Sequence, residues 1–257
     1  MVHARPAPRA QGRPLVLGHR GASAAAPENT LAAFLLAREQ GADGVELDVW
    51  RCGTGEVVVA HDEDTARVAG ERLRVPEASV QALRALDVGA WKGPRWRGER
   101  IPLLDEVLDA LPGAVVNVEL KSRGDRDLRL AGAVARLLAR RRDAERVIVS
   151  SFDWRLLAAF GLEAPAVPIG LLFDGAGFWR LRTAVALRLL RPSAVHPDRR
   201  LATPSHVRGW TAAGVGVNVW TVDEPEQVAA LAAEGAAAVI SNVPGTAREA
   251  VRRATGR

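Results

Sequence analysis

Cysteine, lysine and long apolar runs are all scarce in this 257-residue chain. The single cysteine, Cys52, excludes an intramolecular disulfide framework, so nothing in the sequence requires an oxidising compartment. No stretch approaches the roughly 20 apolar residues that a membrane-spanning helix needs. The first residues carry arginine and proline without the apolar region of a signal peptide, so we expect a cytoplasmic protein.

Lysine occurs only twice, at Lys92 and Lys121, and the other 33 of the 35 basic residues are arginines. Lys121 stands two residues after Glu119 at the end of a predicted strand. An ammonium is a compact point charge and a guanidinium is a broad planar fork, so the two are not interchangeable at a tight site. Lys121 is therefore a functional candidate.

The formal net charge of +5 would suit a nucleic-acid-binding protein. Acidic residues are interleaved with the arginines nearly everywhere, however, and no alternation of aromatic and basic residues marks a surface on which bases could stack. Solvated helix faces account for the arginine runs. We therefore expect a small-molecule partner and no nucleic acid, and the oligomeric state is not predicted.

Short runs rich in valine and isoleucine alternate with longer helical patterns along the chain. The runs are continuous rather than alternating, which is typical of strands covered on both faces, as in parallel sheets. This βα alternation predicts an α/β fold, a single TIM (β/α)8 barrel over residues 15–257, after a disordered tail over residues 1–14. The predicted strands are 15–18, 45–49, 57–60, 115–120, 147–150, 169–173, 194–196, 215–220 and 238–241.

The second and third runs depart from this alternation. Only residues 51–55 separate them, too few for a parallel crossover, so we predict a hairpin that reduces nine runs to eight barrel strands. The hairpin would also lay the segment near His61 beside Glu46. Residues 63–100 are irregular, and we predict that they form a small insertion over the barrel mouth.

Three carboxylates lie near the ends of predicted strands. Glu46 and Asp48 are two apart on a strand and point to one face, which near the C-terminal end of a barrel strand is the active site. Two inward-pointing carboxylates repel each other unless a cation lies between them. The alternative is a pair of exposed acids on an edge strand, which would need no cation. Glu119 lies on another predicted strand and can supply a third inward-pointing carboxylate. All-oxygen ligation favours one magnesium or calcium ion.

Two of the five histidines, His19 and His61, end predicted strands near these carboxylates. A single histidine at a strand end is most often just a hydrogen-bonding partner. Two of them beside paired carboxylates suit proton transfer, because the pKa of histidine lies near neutrality.

Seven segments resemble, in order, the glycerophosphodiester phosphodiesterase family. The resemblance covers residues 15 to about 244 and implies a TIM barrel that uses magnesium or calcium to hydrolyse glycerophosphodiesters to glycerol 3-phosphate and an alcohol. The segments are HRGASAAAPENTLAAF, GADGVELDVW, GEVVVAHDEDTAR, IPLLDEVL, VNVELK, VSSFD and VNVWTVD.

The resemblance also implies a role for each candidate residue. The metal would be bound by Glu46, Asp48 and Glu119. The general acid and base would be His19 and His61. Phosphate or substrate would be contacted by Arg20, Lys121 and Trp220.

The chain departs from the family pattern at two positions. Asn242 stands where members often have aspartate, and Asp223 stands where they often have asparagine. We expect both positions to lie outside the catalytic clusters, so they bear on substrate or structural detail and not on the reaction.

Other functions remain open on the same fold. A lysophospholipase D, a sphingomyelinase D-like enzyme or a phosphatidylinositol-type phospholipase C would use a similar constellation. The strongly charged sequence of residues 71–100 favours a small soluble substrate over a lipid surface. A catalytically inactive, phosphate-binding barrel would be expected to lack at least one of the seven charged or histidine candidates, and all seven are present.

Overall fold

The computed structural model of the chain describes residues 7–8, 10, 12–122, 128–175 and 179–256. Residues 1–6, 9 and 11 of the predicted tail lie outside the described residues. From the longer helical patterns of the sequence we also predict helices over residues 127–142 and 178–190, and residues 127 and 178 lie outside the described residues as well.

Nine strands account for every predicted apolar run. β1 pairs in parallel with both β2 and β9, and this pairing closes a ring of eight parallel strands. The prediction of a TIM barrel is therefore confirmed. The strands are β1 (Leu15–His19), β2 (Gly44–Arg51), β3 (Val57–Val59), β4 (Val115–Leu120), β5 (Val147–Ser151), β6 (Ile169–Phe173), β7 (Ala194–Pro197), β8 (Gly216–Val219) and β9 (Ala238–Ser241).

The predicted hairpin is also confirmed. β3 runs antiparallel to the end of β2, with Val59 opposite Val49, and stays outside the ring. The Ala60 amide donates to the Asp48 carbonyl at 3.0 Å. The chain is thereby returned so that His61 follows directly beside the carboxylate-bearing end of β2.

Helices connect the ring strands. Thr30 caps the first helix, because its hydroxyl accepts from the Ala33 amide at 3.3 Å. The last helix was not predicted. The helices are α1 (Leu31–Glu39), α2 (Ala66–Ala69), α3 (Val80–Ala85), α4 (Leu104–Ala110), α5 (Arg129–Ala139), α6 (Trp154–Glu163), α7 (Trp179–Leu190), α8 (Pro204–Ala212), α9 (Pro225–Ala233) and α10 (Pro244–Thr255).

Residues 63–100 contain α2, α3 and two 3-10 turns, and they pack around a hydrophobic cluster separate from the main core. Lys92 Nζ donates to the Ser23 carbonyl at 2.7 Å, and Arg95 donates to the Ala25 carbonyl at 3.0 Å. Both acceptors belong to the loop between β1 and α1. The segment therefore lies against the end of the barrel at which β1 terminates.

Gly44 lies where β2 approaches β4 most closely. A methyl group there would stand 1.9 Å from the Val115 carbonyl oxygen, so the backbone of β4 would have to move. We expect Gly44→Ala to lower the free energy of unfolding by about 2–3 kcal/mol. Urea unfolding measures the change.

Gly161 in α6 provides the matched control, because a methyl group there meets nothing within 4 Å. Gly161→Ala should leave stability unchanged or raise it by up to about 1 kcal/mol, since alanine favours helix. Equal unfolding midpoints for the two variants would contradict the close approach of β2 to β4.

Candidate active site

Three buried carboxylates meet inside the C-terminal end of the barrel. Glu46 and Asp48 come from β2 and Glu119 comes from β4, and Asp48 is paired with Glu119 in the strand register. Each side chain offers one oxygen, and these oxygens lie within 4.8 Å of one another. The exposed fractions of the three residues are 4 %, 1 % and 8 %. The structure thus brings together all three predicted metal ligands.

The two predicted phosphate-contacting cations border this cluster. Lys121 Nζ lies 2.9 Å from Glu119 Oε1 and 3.3 Å from Asp48 Oδ1. Arg20 Nε lies 3.3 Å from Asp48 Oδ2, and the Arg20 backbone amide donates to Glu46 Oε2 at 3.1 Å. Every carboxylate of the cluster therefore has a cationic or amide neighbour.

Burial and mutual repulsion govern how these acids ionise. Burial, the charge of Asp48 and the charge of Glu119 raise the pKa of Glu46 well above its ordinary value. Burial and the charge of Asp48 also raise the pKa of Glu119, to about 7, against the opposing effect of Lys121. The pKa of Asp48 is lowered, because Lys121 and Arg20 outweigh the effect of burial.

The loop after β1 holds Arg20 in an uncommon conformation. Arg20 and Asn29 have φ values of 54° and 57°, in the left-handed region that few side-chain-bearing residues adopt. The Asn29 backbone amide donates to the Arg20 carbonyl at 3.0 Å, and the Asn29 side-chain nitrogen Nδ2 donates to Asp48 Oδ2 at 2.8 Å. Asn29, for which the sequence analysis predicted no role at the site, therefore supports both Arg20 and the acidic cluster.

His19 ends β1, and its ring lies between Glu46 of the acidic cluster and Asn242, which follows β9. Its Nε2 lies 3.9 Å from Glu46 Oε2, and its Nδ1 lies 2.7 Å from Asn242 Oδ1. Burial and the charge of Arg20 lower its pKa. The sequence-based expectation that Asn242 lies outside the catalytic clusters is wrong, because the closure of β9 on β1 brings it onto this ring.

Asp223 is part of the same arrangement. Asn242 Nδ2 donates to Asp223 Oδ2 at 2.7 Å, and the Asn242 backbone amide donates to Asp223 Oδ1 at 2.8 Å. The two departures from the family pattern are therefore in direct contact. The pair still contains one carboxylate and one amide, with their positions exchanged.

His61 is supported by charged residues instead. Its Nδ1 lies 2.7 Å from Asp62 Oδ1, and Asp62 Oδ2 accepts from Arg67 Nε at 2.7 Å. Burial is the largest cause that lowers the pKa of His61, and the charges of Lys121 and Arg20 add to it. The Asp62 carboxylate thus fixes the orientation of the His61 ring through Nδ1 and leaves Nε2 without a bond to Asp62.

Arg67 joins the surroundings of His61 to Arg20. It forms a two-bonded fork with Glu28 at 2.8 Å for each bond, and Glu28 accepts from Arg20 at 2.8 Å. Burial would raise the pKa of Glu28, but the two arginines lower it to about 2. No role for Glu28 or Arg67 was predicted from the sequence. The only feature of the sequence that could have indicated a role for them is that both are charged residues close to the HRG and HD segments.

Trp220 follows β8 at the same end of the barrel. Its indole nitrogen donates to the His196 carbonyl at 2.8 Å, and its ring meets Phe152 edge-on with centroids 5.5 Å apart. The indole is therefore held by a backbone acceptor and one aromatic neighbour, and it remains partly exposed.

An acidic cluster with two cations and two histidines at the C-terminal end of a TIM barrel is an arrangement that suits a phosphodiester hydrolase. The chain belongs to the glycerophosphoryl diester phosphodiesterase family, whose family model matches residues 19–246. It is accordingly a glycerophosphodiester phosphodiesterase in type, as the resemblance of the sequence segments implied.

Individual relatives agree with this assignment. A glycerophosphodiester phosphodiesterase from Caldanaerobacter subterraneus subsp. tengcongensis is 35% identical over 93% of this chain and 98% of its own length. The structure of an Oleispira antarctica phosphodiesterase in complex with the product sn-glycerol-3-phosphate is 29% identical. It has a TM-score of 0.84 and covers 93% of this chain and 97% of that one. A putative glycerophosphoryl diester phosphodiesterase from Silicibacter pomeroyi has a TM-score of 0.82 at 28% identity, over 95% of both chains.

Within the part of the chain that the structure describes, no helix has the length and apolar character needed to cross a membrane.

Arg67 offers a test of how the site is held. Its side chain is 45 % exposed, so its ion pairs should contribute little to stability, while its bonds fix two groups at the site. We expect Arg67→Gln to lower kcat by about 10- to 100-fold, because misplacement by even an ångström is costly in catalysis. Steady-state kinetics on a glycerophosphodiester measures the loss.

Arg72→Gln is the control for this variant. Arg72 lies in the same insertion, where its largely exposed side chain pairs with Asp64 at 2.8 Å. It should retain wild-type kcat. Equal activity of the Arg67 and Arg72 variants would mean that the fork to Glu28 does not support the site.

Proposed function

We propose that the protein hydrolyses glycerophosphodiesters to glycerol 3-phosphate and an alcohol, with one divalent cation and two histidines acting as general acid and base. The observation that carries this proposal is the meeting of three buried carboxylates within 4.8 Å, with His19 beside them on β1 and His61 brought alongside β2 by the hairpin. Relatives named for this activity support the substrate class.

The donor set fits a hard divalent cation. All three ligand atoms are carboxylate oxygens, which magnesium and calcium prefer. With a cation bound and all three carboxylates ionised, Arg20 and Lys121 compensate two of the three negative charges and leave one. A divalent cation would convert this to one positive charge, equal and opposite to that of a phosphodiester. Glu46, Asp48 and Glu119 would hold the ion.

The residues of the chain have separate parts in this proposal. A bound cation would supply Lewis-acid stabilisation of charge on a phosphate oxygen. Arg20 and Lys121 would donate to phosphate oxygens and stabilise the negative charge that increases in the transition state. Both cations are already held in place by carboxylates, so little reorganisation is needed when the substrate binds.

The two histidines would move the protons. One ring nitrogen would take a proton from the attacking oxygen, and the other histidine would donate a proton to the leaving alcohol, a contribution of about 10²–10⁴-fold in rate. Each ring is already held at Nδ1, His19 by Asn242 and His61 by Asp62, so each presents Nε2 for this exchange. The attacking oxygen belongs to water or to the glycerol hydroxyl of the substrate.

We propose that residues 63–100 cap the mouth and help select the alcohol. The charged character of this segment supports a small soluble substrate. On another side of the mouth Phe152 and Trp154 are 41 % and 36 % exposed, which supports a second candidate, a lysophospholipase D acting on an acyl-bearing substrate.

A hydrolysis screen with and without chelation tests both functions. The substrates are glycerophosphocholine, -ethanolamine, -glycerol and -inositol together with a lysophospholipid. We expect turnover of at least one glycerophosphodiester, loss of activity in EDTA and recovery with magnesium or calcium. Activity on the lysophospholipid alone would favour the second candidate. Full activity after exhaustive chelation would remove the cation from the proposal.

Substitution of the histidines tests the proton transfers. His19→Ala and His61→Ala should each lower kcat by about 10²-fold or more while the fold is retained. An aryl phosphodiester with a nitrophenyl leaving group separates the two roles, because that group departs without a proton. The variant that lacks the general acid should keep much more of its activity on the aryl substrate than the other.

His206→Ala is the matched control, because His206 lies on α8, where it stacks on Trp210. It should match the wild type on both substrates. If His19→Ala or His61→Ala also matched the wild type, that histidine would have no catalytic role.

A further inference from the structure

Asp223 and Asn242 form a pair behind His19, and the proposed chemistry uses only the contact of Asn242 with His19 Nδ1. Neither residue touches the three carboxylates through any hydrogen bond found among the described residues. Both come from the last third of the chain, whereas His19 ends the first strand. Their contacts decide which nitrogen of His19 carries the proton.

The orientation of the Asn242 amide follows from its partners. The carboxylate of Asp223 only accepts hydrogen bonds, so the amide group facing it at 2.7 Å must be the donor Nδ2. The amide oxygen then faces His19 Nδ1 at 2.7 Å and the Ser23 hydroxyl at 2.8 Å. A flipped amide would place its oxygen against the carboxylate.

Asp223 is itself held on both oxygens. Oδ1 accepts from the Asn242 backbone amide at 2.8 Å and from the Ser241 hydroxyl at 2.9 Å, while Oδ2 accepts from Asn242 Nδ2. The neighbouring Val222 amide donates to the Ile240 carbonyl at 2.9 Å, which fixes the chain beside β9. The carboxylate is therefore a rigid acceptor.

The amide oxygen also only accepts, so His19 Nδ1 must donate to it. In the neutral ring, Nε2 then carries the lone pair and faces the acidic cluster, 3.9 Å from Glu46 Oε2. The reverse tautomer would leave Nδ1 without a proton against an acceptor oxygen. The hydrogen bonds thus select one tautomer through two successive steps.

We propose that Asp223 and Asn242 are positioning residues for His19. Asp223 orients the Asn242 amide, and the amide oxygen fixes His19 as the Nδ1-protonated tautomer with Nε2 presented to the substrate. This inference rests on the proposed catalytic role of His19. It also makes the two histidines unlike, because His61 Nδ1 meets a carboxylate directly.

A reciprocal exchange tests the pair on the magnesium-loaded enzyme. Asp223→Asn removes the carboxylate that orients the amide, and Asn242→Asp places two carboxylates face to face. We expect each single variant to lower kcat by about 10- to 1,000-fold with KM changed less than about threefold. In Asp223→Asn the Asn242 amide is free to flip and hold His19 in the wrong tautomer. In Asn242→Asp the two facing carboxylates repel each other and displace the acceptor of His19 Nδ1. The double variant restores one carboxylate and one amide, and it should recover at least about tenfold over the weaker single variant.

Nitrogen NMR of the histidine rings supplies a readout that a merely structural role would not move. The wild type should show His19, identified by its absence in His19→Ala, as the Nδ1-protonated tautomer, and Asp223→Asn should shift it toward the other. Asp198→Asn is the control, because Asp198 follows β7 and pairs with Arg200 at 2.8 Å. It should change neither tautomer nor kcat.

Two results would overturn the inference. One is a wild-type His19 protonated at Nε2, a result that needs no variant of Asp223 or Asn242 and so holds even if one of those variants fails to fold. The other is a double variant whose loss equals the product of the two single losses, since independent residues would give that result. Absence of turnover by the wild type on every glycerophosphodiester would instead contradict the proposed function, while the tautomer measurement would still decide the geometry.

Discussion

The burial of three carboxylates at one end of the barrel is the constraint on which the rest of the site depends. Desolvated carboxylates that repel one another are costly, so each must find donors or cations. The chain supplies them from two places: the loop after β1 gives Arg20 and Asn29, and Lys121 directly follows β4. The left-handed conformation of Arg20 is part of this solution, because it lets the backbone amide and the side chain of one residue reach two acids.

Much of this arrangement could be predicted because it follows from short-range periods. The two-residue period of strands puts Glu46 with Asp48 and Glu119 with Lys121, and a five-residue gap forces the hairpin that brings His61 to β2. The contact of Asn242 with His19 could not be predicted in this way, since 223 positions separate them and only barrel closure joins them. α10 was missed for a local reason, because its buried face consists mainly of alanine and valine, a weak apolar signal.

The two histidines are held by different parts of the fold. His61 depends on its sequence neighbour Asp62 and on the insertion that carries Arg67, whereas His19 depends on the junction of the first and last strands. A perturbation of the insertion should therefore reach His61 first, and a perturbation of β9 should reach His19 first. Their supports also differ in charge, since His61 meets a carboxylate and His19 meets a neutral amide oxygen. Both hydrogen bonds raise the pKa of the ring that makes them.

Lysine and arginine serve different geometries in this site. Lys121 places one point charge between Asp48 and Glu119, at 3.3 and 2.9 Å, in a space where its side chain is 16 % exposed. Arg20 spans outward instead, from Asp48 to Glu28, and Glu28 leads through Arg67 and Asp62 to His61. The acidic cluster and the support of His61 therefore share Arg20. The charges of Asp48, Lys121 and Arg20 also act on His61 directly, so a change of charge in the cluster alters the electrostatic environment of His61.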